Sequence, residues 1–150
     1  MSKRRPAPAD SDPRVHPRAE PAGQLTEILK EIDAAAALLA DLSAKPGNER
    51  HALPRAEVRL HALKLCDLLE VKSREEWFSD PAKAIELAEL AVEISNRLDN
   101  AHYGRALVEH ARTLAWLHLG NAYQAAADLR RAKQAHDQAK EHHWEGAKTV

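Results

Sequence analysis

The stretch Trp116-Leu117-His118-Leu119-Gly120-Asn121-Ala122-Tyr123, followed by Ala132 and Ala139, decides the fold of this chain. Gly120 stands inside an otherwise helical pattern, where a glycine costs about 1 kcal/mol relative to alanine and so implies a packing reason. We expect Gly120 and Ala132 to let two helix backbones approach closely, with Trp116 and Tyr123 filling the space on either side. This order of residues is typical of a helix–turn–helix unit that stacks on copies of itself.

Composition sets the limits on what the chain can be. The 150 residues carry a formal net charge of −1, so the chain has no global basic field that would attract nucleic acid. One cysteine, Cys66, excludes an internal disulfide and any cysteine-based metal cluster. No apolar run is long enough to cross a bilayer, and Lys3-Arg4-Arg5 is followed by Pro6, unlike a signal peptide. We therefore expect one soluble domain in the cytoplasm, with no membrane contact.

Apolar spacing divides the chain into an arm, five helices and a tail. Residues 1–22 hold five prolines and few large apolar groups, which predicts a disordered arm. From there the apolar residues recur at intervals of three and four, as in helices packed by one face. The sequence predicts a helical domain over 23–145, then a frayed tail at 146–150. Its five helices are predicted at about 24–43, 53–78, 81–99, 102–126 and 129–145.

Helix boundaries rest on residues with known roles at helix ends. Asp80 can accept a hydrogen bond from the first turn of a helix that starts at Pro81, and Asp128 can do the same for the last helix. Pro54 is a good first-turn residue and predicts a helix start near it. No segment shows the alternation of a strand. The predicted fold class is all-α.

The pattern formed by Trp116, Leu119, Gly120, Tyr123, Ala132 and Ala139 resembles the tetratricopeptide repeat. Two positions depart from that family: His136 replaces an aromatic residue, and Trp144 replaces the proline that ends the second helix. A weaker copy lies 48 residues earlier, with Ala84 over Ala132 and Leu69 over Leu117, but with Lys72 in place of the glycine. Helical packing without repeat ancestry is the alternative.

The resemblance implies antiparallel helical hairpins stacked as a short right-handed array. The wider pattern is similar to helical repeat modules of multi-repeat bacterial regulatory proteins, which implies a bacterial, cytoplasmic protein. Because at least three units are normally needed for a stable stack, the helix at 24–43 is expected to cap the array by packing its apolar stripe on the helix at 53–78.

The implied function is a non-enzymatic protein–protein interaction module, a scaffold or adaptor. A peptide or helix would bind in a groove formed by the first helices of each hairpin. In the family the binding face includes the positions of Leu114, Leu117, Asn121 and Gln124, and in the weaker copy those of Ser73 and Glu76. Asn121 suits main-chain recognition because its amide donates and accepts. Interhelix packing is the competing interpretation of each residue.

Two other functions stay open. The first is a self-associating homodimer, in which exposed apolar area around Trp144 pairs two open ends. The second is a helical ribonuclease of the HEPN class, which uses an arginine and a histidine four to six residues apart. Four pairs have that spacing: Arg105 and His110, Arg131 and His136, Arg55 and His61, Arg112 and His118. The histidine spacing does not predict a metal site, since no two histidines lie four apart on a helix, and no cofactor is expected.

Overall fold

A computed structural model describes residues 21–148 of the chain, and these residues form helices with no strand among them. The predicted all-α class is therefore confirmed for this part of the chain. The first twenty residues of the predicted arm, and residues 149–150 of the predicted tail, lie outside the described residues. The helices are α1 (Pro21–Ser43), α2 (Gly47–Ala56), α3 (Leu63–Glu76), α4 (Pro81–Ser95), α5 (Asn100–Tyr103), α6 (Arg105–Ala125) and α7 (Leu129–Ala147).

Two predicted helix starts are confirmed with their caps. The Asp80 carboxylate accepts a hydrogen bond from the Lys83 N–H at 3.1 Å, and Pro81 occupies the first turn of α4. The Asp128 carboxylate accepts from the Arg131 N–H at 3.2 Å at the start of α7. Both caps satisfy backbone donors that have no partner within the helix, so each boundary follows from local chemistry.

The predicted helix at 53–78 is wrong. Pro54 lies inside α2 instead of at a helix start, and α2 ends at Ala56, where the backbone turns extended at Glu57. A 3₁₀ turn at Val58–Leu60 follows, and α3 begins only at Leu63. The 3₁₀ turn buries Leu60, and this burial of an apolar side chain offsets the backbone hydrogen bonds that a continuous helix would have kept.

The predicted helices at 81–99 and 102–126 also have different limits. Helix α4 ends at Ser95, and the short helix α5 begins at Asn100. Gly104 then adopts φ of +85°, a left-handed conformation that interrupts the helix before α6 starts at Arg105. Glycine adopts this conformation without the steric cost of a side chain, which explains the break.

The two outer helices are longer than predicted. Helix α1 begins at Pro21, inside the predicted arm, and proline is well suited to the first helical position. Helix α7 continues through Gly146 to Ala147, inside the predicted frayed tail. Trp144 has a backbone N–H where the repeat pattern would place a proline, so it does not interrupt the helix.

Helices α3 and α4 pass each other in opposite directions. The Ser73 hydroxyl, late in α3, donates to the Ala84 carbonyl, early in α4, at 2.6 Å. The Cys66 thiol, early in α3, lies 3.7 Å from the Ala91 carbonyl, late in α4. The two helices thus meet along most of their length.

Helices α6 and α7 are related in the same way. Arg105 at the start of α6 contacts Glu145 near the end of α7 at 3.5 Å, whereas Asn121 late in α6 contacts His136 early in α7. Helix α4 is joined to α6 by the Tyr123 hydroxyl, which donates to Glu89 at 3.2 Å. The core is continuous from α1 to α7 and includes Leu42, Leu60, Leu65, Leu69, Leu90, Ile94, Val108, Leu119 and Ala135.

Helix α1 covers α3 with only its second half. Ala35 and Leu42 are buried, but the large apolar residues of the first half are between 46% and 57% exposed. These four residues are Leu25, Ile28, Leu29 and Ile32. The expectation that the whole apolar stripe of α1 packs on the body is therefore wrong for its first half.

Candidate functional site

The largest concave surface with predicted site residues lies between α6 and α7. It has a volume of about 620 Å³, and we name it the α6–α7 groove. Helical spacing places its residues on facing sides of the two helices. It is lined by Thr113, Leu117 and Asn121 from α6 and by His136, Ala139, Lys140, His143 and Trp144 from α7.

Two large, partly exposed side chains make the surface of the groove apolar. Leu117 is 40% exposed and Trp144 is 66% exposed, while Ala139 between them is buried. A tryptophan exposes much apolar area, and one that lines a concave surface is typical of the anchors of protein interfaces. The groove can therefore take an apolar side chain from a partner.

The polar end of the groove is organised by His136. Its Nε2–H donates to the Asn121 Oδ1 at 3.1 Å, which orients the asparagine amide. This hydrogen bond uses the acceptor end of the Asn121 amide and not its NH₂ donor. Asn121 lines the groove, and its role in main-chain recognition stays a prediction.

Gly120 makes room for the His136 ring. A Cβ atom added at position 120 would lie 3.0 Å from His136 Cγ and nearer still to two other ring atoms. The space beside Gly120 is thus filled by the imidazole ring of His136 from α7. The expected close approach of the two helix backbones at Gly120 and Ala132 stays a prediction. Ala132 is buried in the same helix pair, one turn before His136.

The other predicted repeat-packing residues are buried or half-buried. Leu119 and Ala139 are buried, and Trp116 and Tyr123 are half-buried against the core. Burial, and then the neighbouring Glu89 carboxylate, raise the pKa of the Tyr123 hydroxyl. The signal that found these residues was their spacing in the repeat pattern.

The remaining predicted binding residues do not join the groove. Leu114 is half-buried and Gln124 is exposed, and neither lines it. Ser73 is fully buried with its hydroxyl bonded to Ala84, so a partner cannot reach it. Glu76 accepts a hydrogen bond from the Ser79 hydroxyl at 3.0 Å. Of the two predicted α3 positions, Ser73 is therefore closed to a partner, whereas Glu76 is half-exposed.

A second polar contact, which the sequence reasoning missed, joins α3 to α6. Glu70 and His118 are 3.9 Å apart and largely buried. Burial and, to a lesser degree, Asp67 raise the pKa of Glu70 to about 8, whereas burial and Arg74 lower the pKa of His118. At neutral pH both groups are uncharged by these shifts, so the contact is not an ion pair.

The four arginine–histidine pairs of the nuclease interpretation are separated by other contacts. Each arginine contacts a carboxylate, and Arg112 in addition donates to the Ser95 carbonyl at 3.3 Å. His61 contacts the Pro54 carbonyl at 2.6 Å. These ion pairs join Arg55 to Glu93, Arg105 to Glu145, Arg112 to Glu109 and Arg131 to Asp128.

Three other features were searched for in the described part of the chain: a metal site, a membrane-spanning helix and a reactive thiol. Residues 21–148 contain no group of three or more histidine, cysteine or acidic residues that could hold a metal ion. Within the same residues no helix combines the length and apolarity needed to cross a membrane. Cys66 is buried, and this burial raises the pKa of its thiol well above the usual range, away from a reactive thiolate.

Comparison with known proteins finds no match among protein-family models, curated proteins or solved structures. The class of the protein therefore has to come from its own residues. The described residues define an all-helical chain that exposes an apolar groove between α6 and α7.

Proposed function

We propose that this chain is a non-enzymatic, tetratricopeptide-like interaction module that binds an amphipathic helix in the α6–α7 groove. The observation that carries the proposal is the exposure of Leu117 and Trp144 beside Asn121 in one concave surface. The proposal keeps the predicted role of Leu117 and Asn121 and moves the binding surface to the outer side of the last helix pair.

Support for the repeat comes from equivalent positions. Glu70 and His118 are 48 residues apart, and they contact each other between α3 and α6. In a stack of repeats, equivalent residues of successive units become neighbours. A repeat built from two-helix units also accounts for the opposite directions of α3 and α4. It accounts in the same way for the opposite directions of α6 and α7.

The dimensions of the groove favour a helix as the ligand. Its lining residues on α6 run from Thr113 to Asn121, a distance of about 12 Å at 1.5 Å per residue. About two turns of a bound helix fit that length, and such a helix presents apolar anchors at positions i, i+3, i+4 and i+7. In a longer array the next repeat would lie on this same surface, and here a partner takes that place.

A self-associating homodimer is the second candidate. Trp144 is the most exposed of the three tryptophans, and burial of its ring in a second copy would remove apolar area from water.

A cytoplasmic location is part of the proposal because the described chain has a free thiol at Cys66 and no disulfide.

The groove can be tested with displayed peptides. We expect helical peptides selected on the full chain to share the four-anchor pattern and to shift the fluorescence of Trp144 when they bind. Leu117→Glu should weaken their binding by about tenfold or more, because it puts a charge in the apolar contact. Leu129→Glu is the matched control, since Leu129 is also an exposed leucine but does not line the groove.

The proposal would be wrong if the two glutamate variants bound the selected peptides equally well. It would also be wrong if peptide binding left the Trp144 signal unchanged, as read in a chain with Trp77 and Trp116 replaced by phenylalanine. In either case the peptides contact another surface.

A further inference from the structure

The first half of α1 carries an unpartnered apolar stripe. Leu25, Ile28, Leu29 and Ile32 have the spacing i, i+3, i+4 and i+7, and each of them is about half exposed. We name these four residues the α1 stripe. The second half of the same helix packs on the body through Ala35 and Leu42, and the stripe continues the helix beyond that contact.

The stripe and the α6–α7 groove lie at opposite ends of the helix order. Helix α1 packs on α2 and α3, and α7 packs on α6. The stripe has the anchor spacing of a helix that binds an apolar groove, and the groove has room for about two helical turns. Because each surface is at its own end, the stripe of one copy can meet the groove of another.

Charge favours the same pairing. At 100° per residue, Glu31 and Asp33 lie on either side of the stripe. Lys140, His136 and His143 lie around the groove, and no carboxylate is found among the described residues that line it. A helix flanked by two carboxylates thus meets a groove lined by one cation, Lys140, and by no carboxylate among its described lining residues, which favours this orientation over groove against groove.

We propose that the occupant of the α6–α7 groove is the α1 stripe of a second copy of this chain. This inference rests on the proposed function of the groove and names its partner. The contact joins two different surfaces, so it is heterologous, and repeated copies form a closed ring or an open filament.

Complementation between two variants of the full chain tests the pairing. The stripe variant carries Ile28→Gln with Leu29→Gln, and the groove variant carries Leu117→Glu with Trp144→Gln. Each variant keeps one surface intact. We expect the wild type to sediment faster as concentration rises, each variant alone to stay monomeric, and an equimolar mixture to form a heterodimer that grows no further.

Four results would overturn the pairing. Self-association of the stripe variant alone would mean that groove meets groove, and self-association of the groove variant alone would mean that stripe meets stripe. A mixture that stays monomeric would exclude contact between the two surfaces. A wild type that is monomeric at every concentration, yet still binds selected peptides in the groove, would overturn this inference and leave the proposed function intact.

A charge exchange gives a second readout that does not depend on core packing. Asp33 and Lys140 are both exposed, so replacing them should leave the fold unchanged. We expect Asp33→Lys to weaken self-association by about fivefold, and Lys140→Glu in the partner copy to restore it. If Asp33→Lys weakens association equally with a wild-type partner and with a Lys140→Glu partner, the proposed orientation is contradicted. Circular dichroism and thermal melting of every variant confirm that the fold is kept.

Discussion

Helices α3 and α4 form a pair that is covered on both sides, whereas α6 and α7 form a pair with one open side. In the proposed repeat, Leu69 and Leu117 are equivalent residues 48 positions apart, yet Leu69 is 0% exposed and Leu117 is 40% exposed. Helices α1 and α6 contact α3, while the α6–α7 groove is open to solvent. The comparison shows that the same residue type is fully buried in one pair and partly exposed to solvent in the other.

The two pairs also differ in how they fill the gap between their helices. In the second pair Gly120 faces the ring of His136. In the first pair the equivalent residues are Lys72, which is exposed, and Ala88, which is fully buried. A small residue on the second helix removes the need for a glycine on the first, so the size of one side chain compensates for that of the other.

The largest expected effect is a difference between the two equivalent leucines. Leu69→Ala should lower the free energy of unfolding by about 2–5 kcal/mol, because it leaves a cavity in a buried site. Leu117→Ala should change it by less than about 1 kcal/mol, because its side chain is partly in water. Urea unfolding of both variants provides the measurement. Similar losses of unfolding free energy in Leu69→Ala and Leu117→Ala would contradict the difference between a covered and an open helix pair.

The next effect concerns the gap at Gly120. Gly120→Ala should destabilise the chain by about 1–3 kcal/mol, because the new methyl group overlaps the His136 ring. Adding His136→Ala should recover much of this loss, and a double-mutant cycle measures the coupling. Gly23→Ala is the control, since a Cβ there meets nothing within 4 Å. An additive cycle would show that the glycine is not required by the ring.

A smaller effect depends on pH and tests the contact between the two pairs. Burial raises the pKa of Glu70 from 4.5 to about 8, so the folded state binds this proton more tightly than the unfolded state does. Its stabilising contribution is complete below about pH 4.5 and is lost as the pH rises toward 8. Glutamine mimics the protonated form and does not titrate, so Glu70→Gln should escape this loss.

Between about pH 6.5 and 8, Glu70→Gln should gain stability over the wild type by roughly 1 kcal/mol for each pH unit. Thermal or urea unfolding at several pH values gives the slope. Glu75→Gln, an exposed change on the same helix, should show no such slope. A difference between Glu70→Gln and the wild type that is constant with pH would mean that Glu70 is ionised in the folded chain.

The smallest effect lies in the turn of the second pair. Ala127 adopts φ of +61°, where an L-residue with a side chain is strained, while the Asp128 N–H donates to the Tyr123 carbonyl at 2.9 Å. Ala127→Gly should therefore raise the free energy of unfolding by about 0.5–1 kcal/mol. Ala126→Gly is the control and should lower it, because Ala126 has an ordinary negative φ. A loss of stability in Ala127→Gly would contradict the assigned strain.

Local chemistry explains which parts of the fold could be predicted. Asp80 and Asp128 were found as caps because a cap needs only a side chain and the next turn of backbone. The break at 57–62 was missed, although the spacing of Val58, Leu60 and Leu63 departs from helical periodicity. Gly104 marks the second break, which separates α5 from α6. Its positive φ explains why the helix stops there.

The candidate site was only partly predictable for a different reason. Leu117 and Asn121 were selected from their positions in the repeat pattern, and both line the groove. Ser73 was selected in the same way, but α4 supplies a carbonyl for its hydroxyl and buries it. The sequence predicts Trp144 only as part of a self-association surface, because periodicity places it on the last helix without showing that Leu117 lies across from it.

The sequence by itself determined that the chain is helical, where two of its helices begin, and that a glycine at position 120 must serve close packing. These properties depend on hydrogen bonds and side-chain volumes within a few residues of one another. Only the tertiary structure decided which apolar residues are core and which are surface, because exposure depends on whether a distant segment covers them. Leu69 is covered and Leu117 is not, and no local pattern distinguishes the two.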